Sequence, residues 1–432
     1  MADYKIIHDT VHGSIKLDGL FLDLLETPEI QRLHGIHQLG LAYLVFPGAN
    51  HTRLEHSIGT CHVAGRLADS LGLEEGEKRL VMAAGMLHDV GHTPYSHALE
   101  IAVHDKTKLD HMDITKDIIL GKRRIQVDGE GEEKIPDLLE KYDVVPKEVT
   151  GLISGFNPDE SVKTLKEFST HDDQVFFNDK KYLDHIIHGT IDADQIDYLL
   201  RDSHYTGVAH GTIDMDRLIQ TVELFNNDLV IHRRGVPAVE GMLVARALMF
   251  TSVYFHKTVR MAELMLAKAV EQMDVPLDNL HTMIDSDLMA LLRRQEGFQE
   301  EIAEMLKFRR LFKRVLFVSK DKATEEEKKA VNGLKVLQAR KKAEQEICRR
   351  ADIPEGYVIV DVPEGELAII EPRIRATNVK ILDENRLKPL SRFSPLAKAL
   401  EIRDVHDWEV MVCTAPKYMD RAEKVTRKVL FG

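Results

Sequence analysis

The stretch LHDVGHTPYSHALE, residues 87–100, sets three histidines and an aspartate at the end of an apolar segment. The preceding run, EKRLVMAAGMLHDV at 77–90, has the periodicity of a helix whose latter half is buried, with Gly91 as its stop. His88 and Asp89 are adjacent at that buried end. An ionised aspartate there is costly unless it is paired or bound to a metal. His92 lies four residues beyond His88, and His97 follows. The plain alternative is ordinary hydrogen bonding, but it has to satisfy three histidines and one aspartate beside a single apolar helix.

Outward from this stretch, three more clusters carry chemistry. HTRLEHS at 51–57 holds His51, Arg53 and His56, a weak signal alone, since a histidine near a helix start is more often packed or capping. IDADQIDYLLRDSHYTG at 191–207 spaces Asp194, Tyr198, Arg201 and Asp202 at i, i+4, i+7 and i+8, one stripe of a helix that a surface salt-bridge pattern would also explain. A helical stretch at about 238–272 carries Arg246, Tyr254, His256 and Lys257. Arg246 and Tyr254 share a face about 12 Å apart along the axis, within the span of a triphosphate and its sugar; a solvated basic face is the simpler reading of that spacing. Imidazole with carboxylate suits Mn, Fe, Zn, Co or Ni better than a thiol-seeking ion. Such an ion acidifies a bound water and polarises a phosphoryl oxygen, while a nearby histidine can move the proton.

The rest of the 432-residue chain reads as a mainly α protein of two or three domains. Residues 4–18 are predicted as a hairpin turning at His12-Gly13-Ser14, and Thr27-Pro28-Glu29 as a helix start. Residues 57–72 are predicted helical, as are about 147–156, 161–168 and 181–203. The polar stretch 121–147 reads as an exposed loop, an insertion or a lid. Residues 1–305 form the expected core, and 306–432 a smaller α/β lobe with a charged helix at 323–351 and strands in YVIVDV, LAIIE and WEVMVCT. Three scattered cysteines exclude a disulfide framework. A net charge of −13 argues against a nucleic-acid partner but leaves room for a small anion in a basic pocket. The N-terminus lacks the features of a signal peptide and no apolar run reaches the roughly 18 residues a membrane span needs, so the expectation is a cytoplasmic protein with no membrane partner.

The motif H…HD…D, here His56, His88-Asp89 and Asp194, resembles the HD-domain phosphohydrolases, and more narrowly their deoxynucleoside triphosphate triphosphohydrolases. DTVHGSIKL (9–17), TPEIQRLHGIHQLG (27–40), VFPGANHTRLEHSIG (45–59), LHDVGHTPYSHALE and DADQIDYLLRDSHYTG (192–207) carry the likeness, which runs through about residues 4–265. It looks like the HD core of the vertebrate enzyme of that family that adds a SAM domain, without the SAM part. The resemblance implies a helical HD core and single-step hydrolysis of a dNTP to deoxynucleoside and triphosphate. It implies that His56, His88, Asp89 and Asp194 hold one divalent ion, with Mg as an optional companion of the substrate phosphates. It puts His92 and His97 by the α-phosphate, His97 transferring the proton and His111 supporting them. Gln38, Leu39, Tyr198 and Asp202 would contact the deoxyribose, Asp202 through its 3′-hydroxyl. Arg53 and Arg246 would clamp phosphates, and Tyr254 would disfavour a 2′-hydroxyl. A homo-oligomer, dimer or tetramer, is implied too.

Four positions depart from the pattern. Gln195 stands where those enzymes often carry a phosphate-binding lysine. Met112 follows His111 where an acidic partner is expected, which predicts a less basic His111. Glu100 replaces an aspartate, and His34 stands where a nucleotide-activated relative has arginine. Two alternatives remain at this point: an HD phosphohydrolase of nucleoside monophosphates or phosphodiesters, and a non-catalytic nucleotide or nucleic-acid binding module.

Overall fold

A computed structural model describes residues 4–125, 133–154, 180–274, 277, 279–363, 379–401 and 408–432. The chain is mainly helical, with an N-terminal hairpin and small sheets further on. Strands β1 (Tyr4–Asp9) and β2 (Gly13–Asp18) pair antiparallel, and Gly13 takes the positive φ of the turn. Helix Pro28–Arg32 begins at the expected Thr27-Pro28, with Thr27 Oγ1 accepting from the Ile30 amide.

Helices Arg53–Leu71 and Glu75–Leu87 pack together, and Ala193–Thr206 lies across the first of them. The helix pair comes very close at Gly85, where even a methyl group would stand 3.1 Å from the Thr60 carbonyl oxygen. Val63, Ala64, Val81, Ala84, Leu87 and Leu199 are fully buried between these helices. Burial of this kind contributes about 1.5–3 kcal/mol per large aliphatic side chain, and it fixes the backbone that carries His56, His88 and Asp194. A second apolar cluster joins Met265, Leu266 and Ala269 to Ile302, Ile347 and Val410.

Strands β3 (Val222–Phe225) and β4 (Asp228–His232) form a hairpin. Further strands are β5 (Lys313–Ser319), β6 (Val358–Asp361), β7 (Lys380–Asp383), β8 (Arg386–Pro389) and β9 (Trp408–Thr414). One sheet runs β5-β9-β6, all antiparallel; the other runs β3-β4-β7-β8, with β4 and β7 parallel. Segments about 150 residues apart therefore share a ladder across the expected division near residue 305.

Several expectations need correction. The stretch at 238–272 is not one helix. It divides into Val236–Met249, a π-turn at Phe250–Tyr254, and Lys257–Glu271. No proline or glycine announces that break, and π-turns often mark functional positions. The polar stretch 121–147 contains a packed helix, Ile135–Lys141, with Ile135, Leu138 and Leu139 buried; its residues 126–132 lie outside the described residues. The same holds for the helix expected at 161–168 and the strand LAIIE. The charged helix at 323–351 is two, Glu325–Leu334 and Leu337–Ala351. Finally, Arg233–Tyr254 is long and apolar enough to cross a membrane by length and composition alone, a run overlooked in the sequence. Over half of it is buried in protein, and it carries buried Arg246, so it is a core helix that is apolar nearly all round.

Candidate active site

Three helix ends meet. His56 sits in the first turn of Arg53–Leu71, His88 caps Glu75–Leu87, and Asp194 lies in the first turn of Ala193–Thr206. The histidine Nε2 atoms are 3.2 Å apart, and Asp194 Oδ1 lies 3.0 Å from His56 Nε2 and 3.8 Å from His88 Nε2. Ligand atoms of all three residues lie within 4.8 Å of one another, a group able to hold a metal ion. Asp89 is the nearest further carboxylate: its oxygens stand 3.4 Å from His88 Nε2 and 3.8 Å from His56 Nε2.

The outward-facing ring nitrogens are engaged elsewhere. His56 Nδ1 donates to Asp197 at 2.7 Å, and His88 Nδ1 donates to the Gly85 carbonyl at 2.8 Å. Both Nε2 lone pairs are thereby turned inward, which is how ligating histidines are commonly oriented. Burial lowers the pKa of His56, but Asp194 and Asp197 outweigh it and raise the imidazole to about 10. Burial opposes the charge on Asp89, yet Arg53, His88 and His92 hold this carboxyl well below the usual range. Two inward nitrogens among ionised carboxylates fit a divalent cation, for charge and for donor type.

Asp197 was overlooked in the sequence reading. Fully buried, it accepts from His12 Nε2 at 2.6 Å, from His56, and from Arg201 Nε and Nη2 at 2.9 Å each; Arg201 also donates to Asp9 at 2.8 Å. The β1–β2 turn thus reaches the metal corner through one carboxylate. Asp197 fits only because residue 59 is glycine: a Cβ there would lie 1.9 Å from Asp197 Oδ1. Its signal was available, three residues past Asp194 on the same helix, where a ligating histidine needs a partner for its other nitrogen. Arg201, read as part of a surface stripe, is fully buried.

Beside this corner lies a histidine wall. His92 stacks on His111 with centroids 4.1 Å apart and meets His97 edge-on at 5.1 Å. His92 Nε2 is 3.2 Å from Asp89, and burial with Arg53 and His111 nearby holds the ring well below its ordinary pKa. Glu100 bridges the other two, at 3.0 Å from His97 Nδ1 and 2.5 Å from His111 Nδ1. The expectation of a less basic His111 is wrong. Burial lowers its pKa, but Glu100 outweighs that and raises it. The acidic partner comes from residue 100, 11 residues upstream at the start of the preceding helix, which the Met112 comparison did not consider.

A cavity of about 150 Å³ opens next to His97. Its lining includes Gln38, Leu39, Tyr198, Asp202 and Tyr254. Asp202 is held from two sides, by His51 Nε2 at 2.7 Å and by the Tyr254 hydroxyl at 2.6 Å. The π-turn delivers Tyr254 to that position. Arg53 reaches the metal corner from the cavity side, donating to Asp89 Oδ2 and, at 2.6 Å, to Ser96 Oγ. Arg246 instead donates to Gln195 Oε1 at 2.8 Å. Neither arginine lines the cavity.

Comparison with known proteins places this arrangement. Residues 53–202 match the HD domain, and residues 213–431, about half the chain, match the HD associated region. The chain belongs to the HD-domain family. This HD protein is 30% identical to an uncharacterized protein of Methanocaldococcus jannaschii, over 96% of its own length and 79% of that protein's. It is 30% identical to the deoxynucleoside triphosphate triphosphohydrolase SAMHD1 homolog of Dictyostelium discoideum, over 72% of this chain and 58% of that one, so it spans little more than half of that relative's length. A solved structure of a hypothetical protein from Aquifex aeolicus superimposes with a TM-score of 0.69 at 26% identity, covering 98% of this chain and 99% of that one.

Proposed function

We propose that this HD-domain phosphohydrolase converts deoxynucleoside triphosphates to deoxynucleoside and triphosphate. The observation that carries this reading is the doubly held Asp202 in the wall of a cavity of about 150 Å³, on the same helix as Asp194 of the His56–His88–Asp194 cluster. The Dictyostelium relative's activity supports it. A divalent ion held by His56, His88 and Asp194, with Asp89 adjoining, supplies an acidified water and a polarised phosphoryl oxygen when bound.

The chain's own residues do the rest. Asp202, fixed by His51 and Tyr254, is placed to accept a hydrogen bond from a sugar 3′-hydroxyl, and Tyr254 takes the space a 2′-hydroxyl would need. Gln38, Leu39 and Tyr198 enclose the sugar. Arg53, with Nε on Ser96 and Nη1 on Asp89, keeps Nη2, which is not hydrogen-bonded among the described residues, as a charged donor for phosphate. Arg246, tied to Gln195, supports the more distant phosphates. His97, half exposed at the cavity edge with Nδ1 on Glu100, keeps Nε2 for the 5′-oxygen. As water adds to the α-phosphorus and gives its proton to solvent, the bond to the 5′-oxygen breaks, that oxygen keeps the electron pair and takes a proton from His97, and His97 regains a proton from solvent. His92 and His111 hold the wall against which this happens. A homo-oligomer in the cytoplasm, and a division into a core at 1–305 and a lobe at 306–432, belong to the same proposal.

The test is incubation of metal-loaded protein with each dNTP and detection of inorganic triphosphate. Release of triphosphate from at least one dNTP is expected. Turnover confined to nucleoside monophosphates or phosphodiesters overturns the reading, and the Gln195–Arg246 pairing would then explain the smaller substrate.

A further inference from the structure

The cavity that holds Asp202 and Tyr254 is also lined by Arg260 and Glu263, one helical turn apart on Lys257–Glu271. Ala42, Phe250, Val253 and Val259 supply apolar parts of the same wall. The Glu263 carboxyl lies over the backbone that follows Gln38 and Leu39: a Cβ on Gly40 would stand 3.6 Å from Glu263 Oε1. Gly40 has a positive φ, so this close backbone approach is built for glycine. Arg260 is anchored from behind, its guanidinium donating to the buried Asp361 at 3.1 and 3.3 Å.

Glu263 differs from every other carboxylate around the site. Asp89, Asp194, Asp197, Asp202 and Glu100 all have a hydrogen-bond or ion-pair partner. Among the described residues the Glu263 carboxyl has no hydrogen bond. Burial raises its pKa, with Arg260 opposing, to about 7. A half-buried residue whose carboxyl has no hydrogen-bond partner among the described residues, in the wall of a cavity, is a group awaiting a ligand's donors.

We infer that Glu263 is the base-selecting residue and that it reads the paired N–H donors of guanine. The inference rests on the nucleotide reading above, which puts the sugar at Asp202 and so sends the base toward Glu263. An ionised carboxylate is an acceptor on both oxygens. Guanine alone among the common bases sets two adjacent donors on one edge, N1–H and the N2 amino group. Adenine and cytosine pair one donor with one acceptor, which two acceptor oxygens cannot match on both atoms. Thymine has a single donor between two carbonyls. A site built to satisfy hydrogen bonds rejects an analogue lacking them far more strongly than an apolar pocket does.

The experiment uses the full chain, loaded with metal, and compares kcat/KM for dGTP, dATP and deoxyinosine triphosphate in the wild type and in Glu263→Gln. Calorimetric binding of deoxyguanosine and deoxyadenosine, free of any phosphate chemistry, accompanies it. Wild type should favour dGTP over dATP by about 10-fold or more, in line with one bidentate contact. Deoxyinosine triphosphate, which lacks only the N2 amino group, should fall well below dGTP without any change to the protein. Glu263→Gln should remove or invert the dGTP preference, because a side-chain amide offers one donor and one acceptor and so matches the adenine edge rather than the guanine edge. Equal use of dGTP and deoxyinosine triphosphate, or a dGTP/dATP ratio unchanged by Glu263→Gln, overturns the inference while leaving the hydrolase reading intact. Guanine-selective nucleoside binding that depends on Glu263, with no triphosphate released from any dNTP, overturns the hydrolase reading instead.

Discussion

The metal corner and the nucleoside cavity sit side by side and are built on opposite plans. At the corner almost every polar atom is already engaged: His56 between Asp194 and Asp197, His88 on Gly85, Asp197 on two histidines and an arginine. In the cavity some polar atoms are left over. Among the described residues Gln38 Oε1 has no hydrogen-bond partner, and Glu263 lies beside Gly40. The corner is pre-organised at the protein's own expense, as chemistry requires. The cavity keeps its hydrogen-bonding capacity for whatever enters. The first region is consequently the more fragile to mutation, and the second the more adjustable.

The sharpest way to break the contrast is at the corner. Asp194→Ala should reduce turnover to the level of a no-enzyme control, with helical circular dichroism retained and bound metal lost on elemental analysis; retained turnover would show that the cluster is structural. Next in size is Asp197→Ala, which leaves His12 and Arg201 buried without their carboxylate. Breaking a buried pair in this way costs about 3–5 kcal/mol, to be read as a fall in urea midpoint. The milder Asp197→Asn should keep the fold but weaken metal affinity by about 10- to 100-fold, the usual effect of losing such a supporting contact. An unchanged affinity would reduce Asp197 to a packing residue.

The cavity is expected to respond less. Tyr254→Phe removes one hydrogen bond to Asp202, worth about 1.5–3 kcal/mol for a charged acceptor. With His51 still in place, the loss should appear mainly as a higher KM for dNTPs. A change confined to kcat would place Tyr254 in the chemistry rather than in sugar binding. The smallest effect, of about 1 kcal/mol, is expected between the two regions, at Glu100→Gln. Glu100 is depressed below 4.5 by His111 and His97 against its burial, so its contribution is present above pH 4.5 and fades as pH falls. His111 is raised above 6.5 through Glu100, so its contribution is complete below pH 6.5 and fades as pH rises through the raised value. The difference in stability between wild type and Glu100→Gln should therefore be largest at about pH 5–6 and shrink on the alkaline side. A difference that grows toward pH 9 contradicts the pairing.

What the sequence made legible follows the same division. His88 and Asp89 stood out because two ionisable groups adjoin on a strongly apolar helix, an expensive arrangement visible without coordinates. The hairpin and the Thr27-Pro28 start were legible because turn and cap chemistry is local. His12 was not, since its role lies in touching Asp197, 185 residues away, and Asp197 left only one local signal, its place three residues past Asp194. The π-turn before Lys257 carries no glycine or proline, so an uninterrupted helix was the natural expectation, yet that turn delivers Tyr254 to Asp202. Glu263 lay in an ordinary amphipathic helix, and only the cavity set it apart.

Gly59 shows how far such dependence extends. It touches neither a cation nor a nucleotide, yet alanine there would drive a carbon into Asp197. A one-methyl lesion one turn along the helix from His56 would thus present as a metalloenzyme defect. In a mutational screen of this protein, residue 59 should score with the ligands themselves, and a homologue bearing any side chain there would have to seat its histidine by a different route.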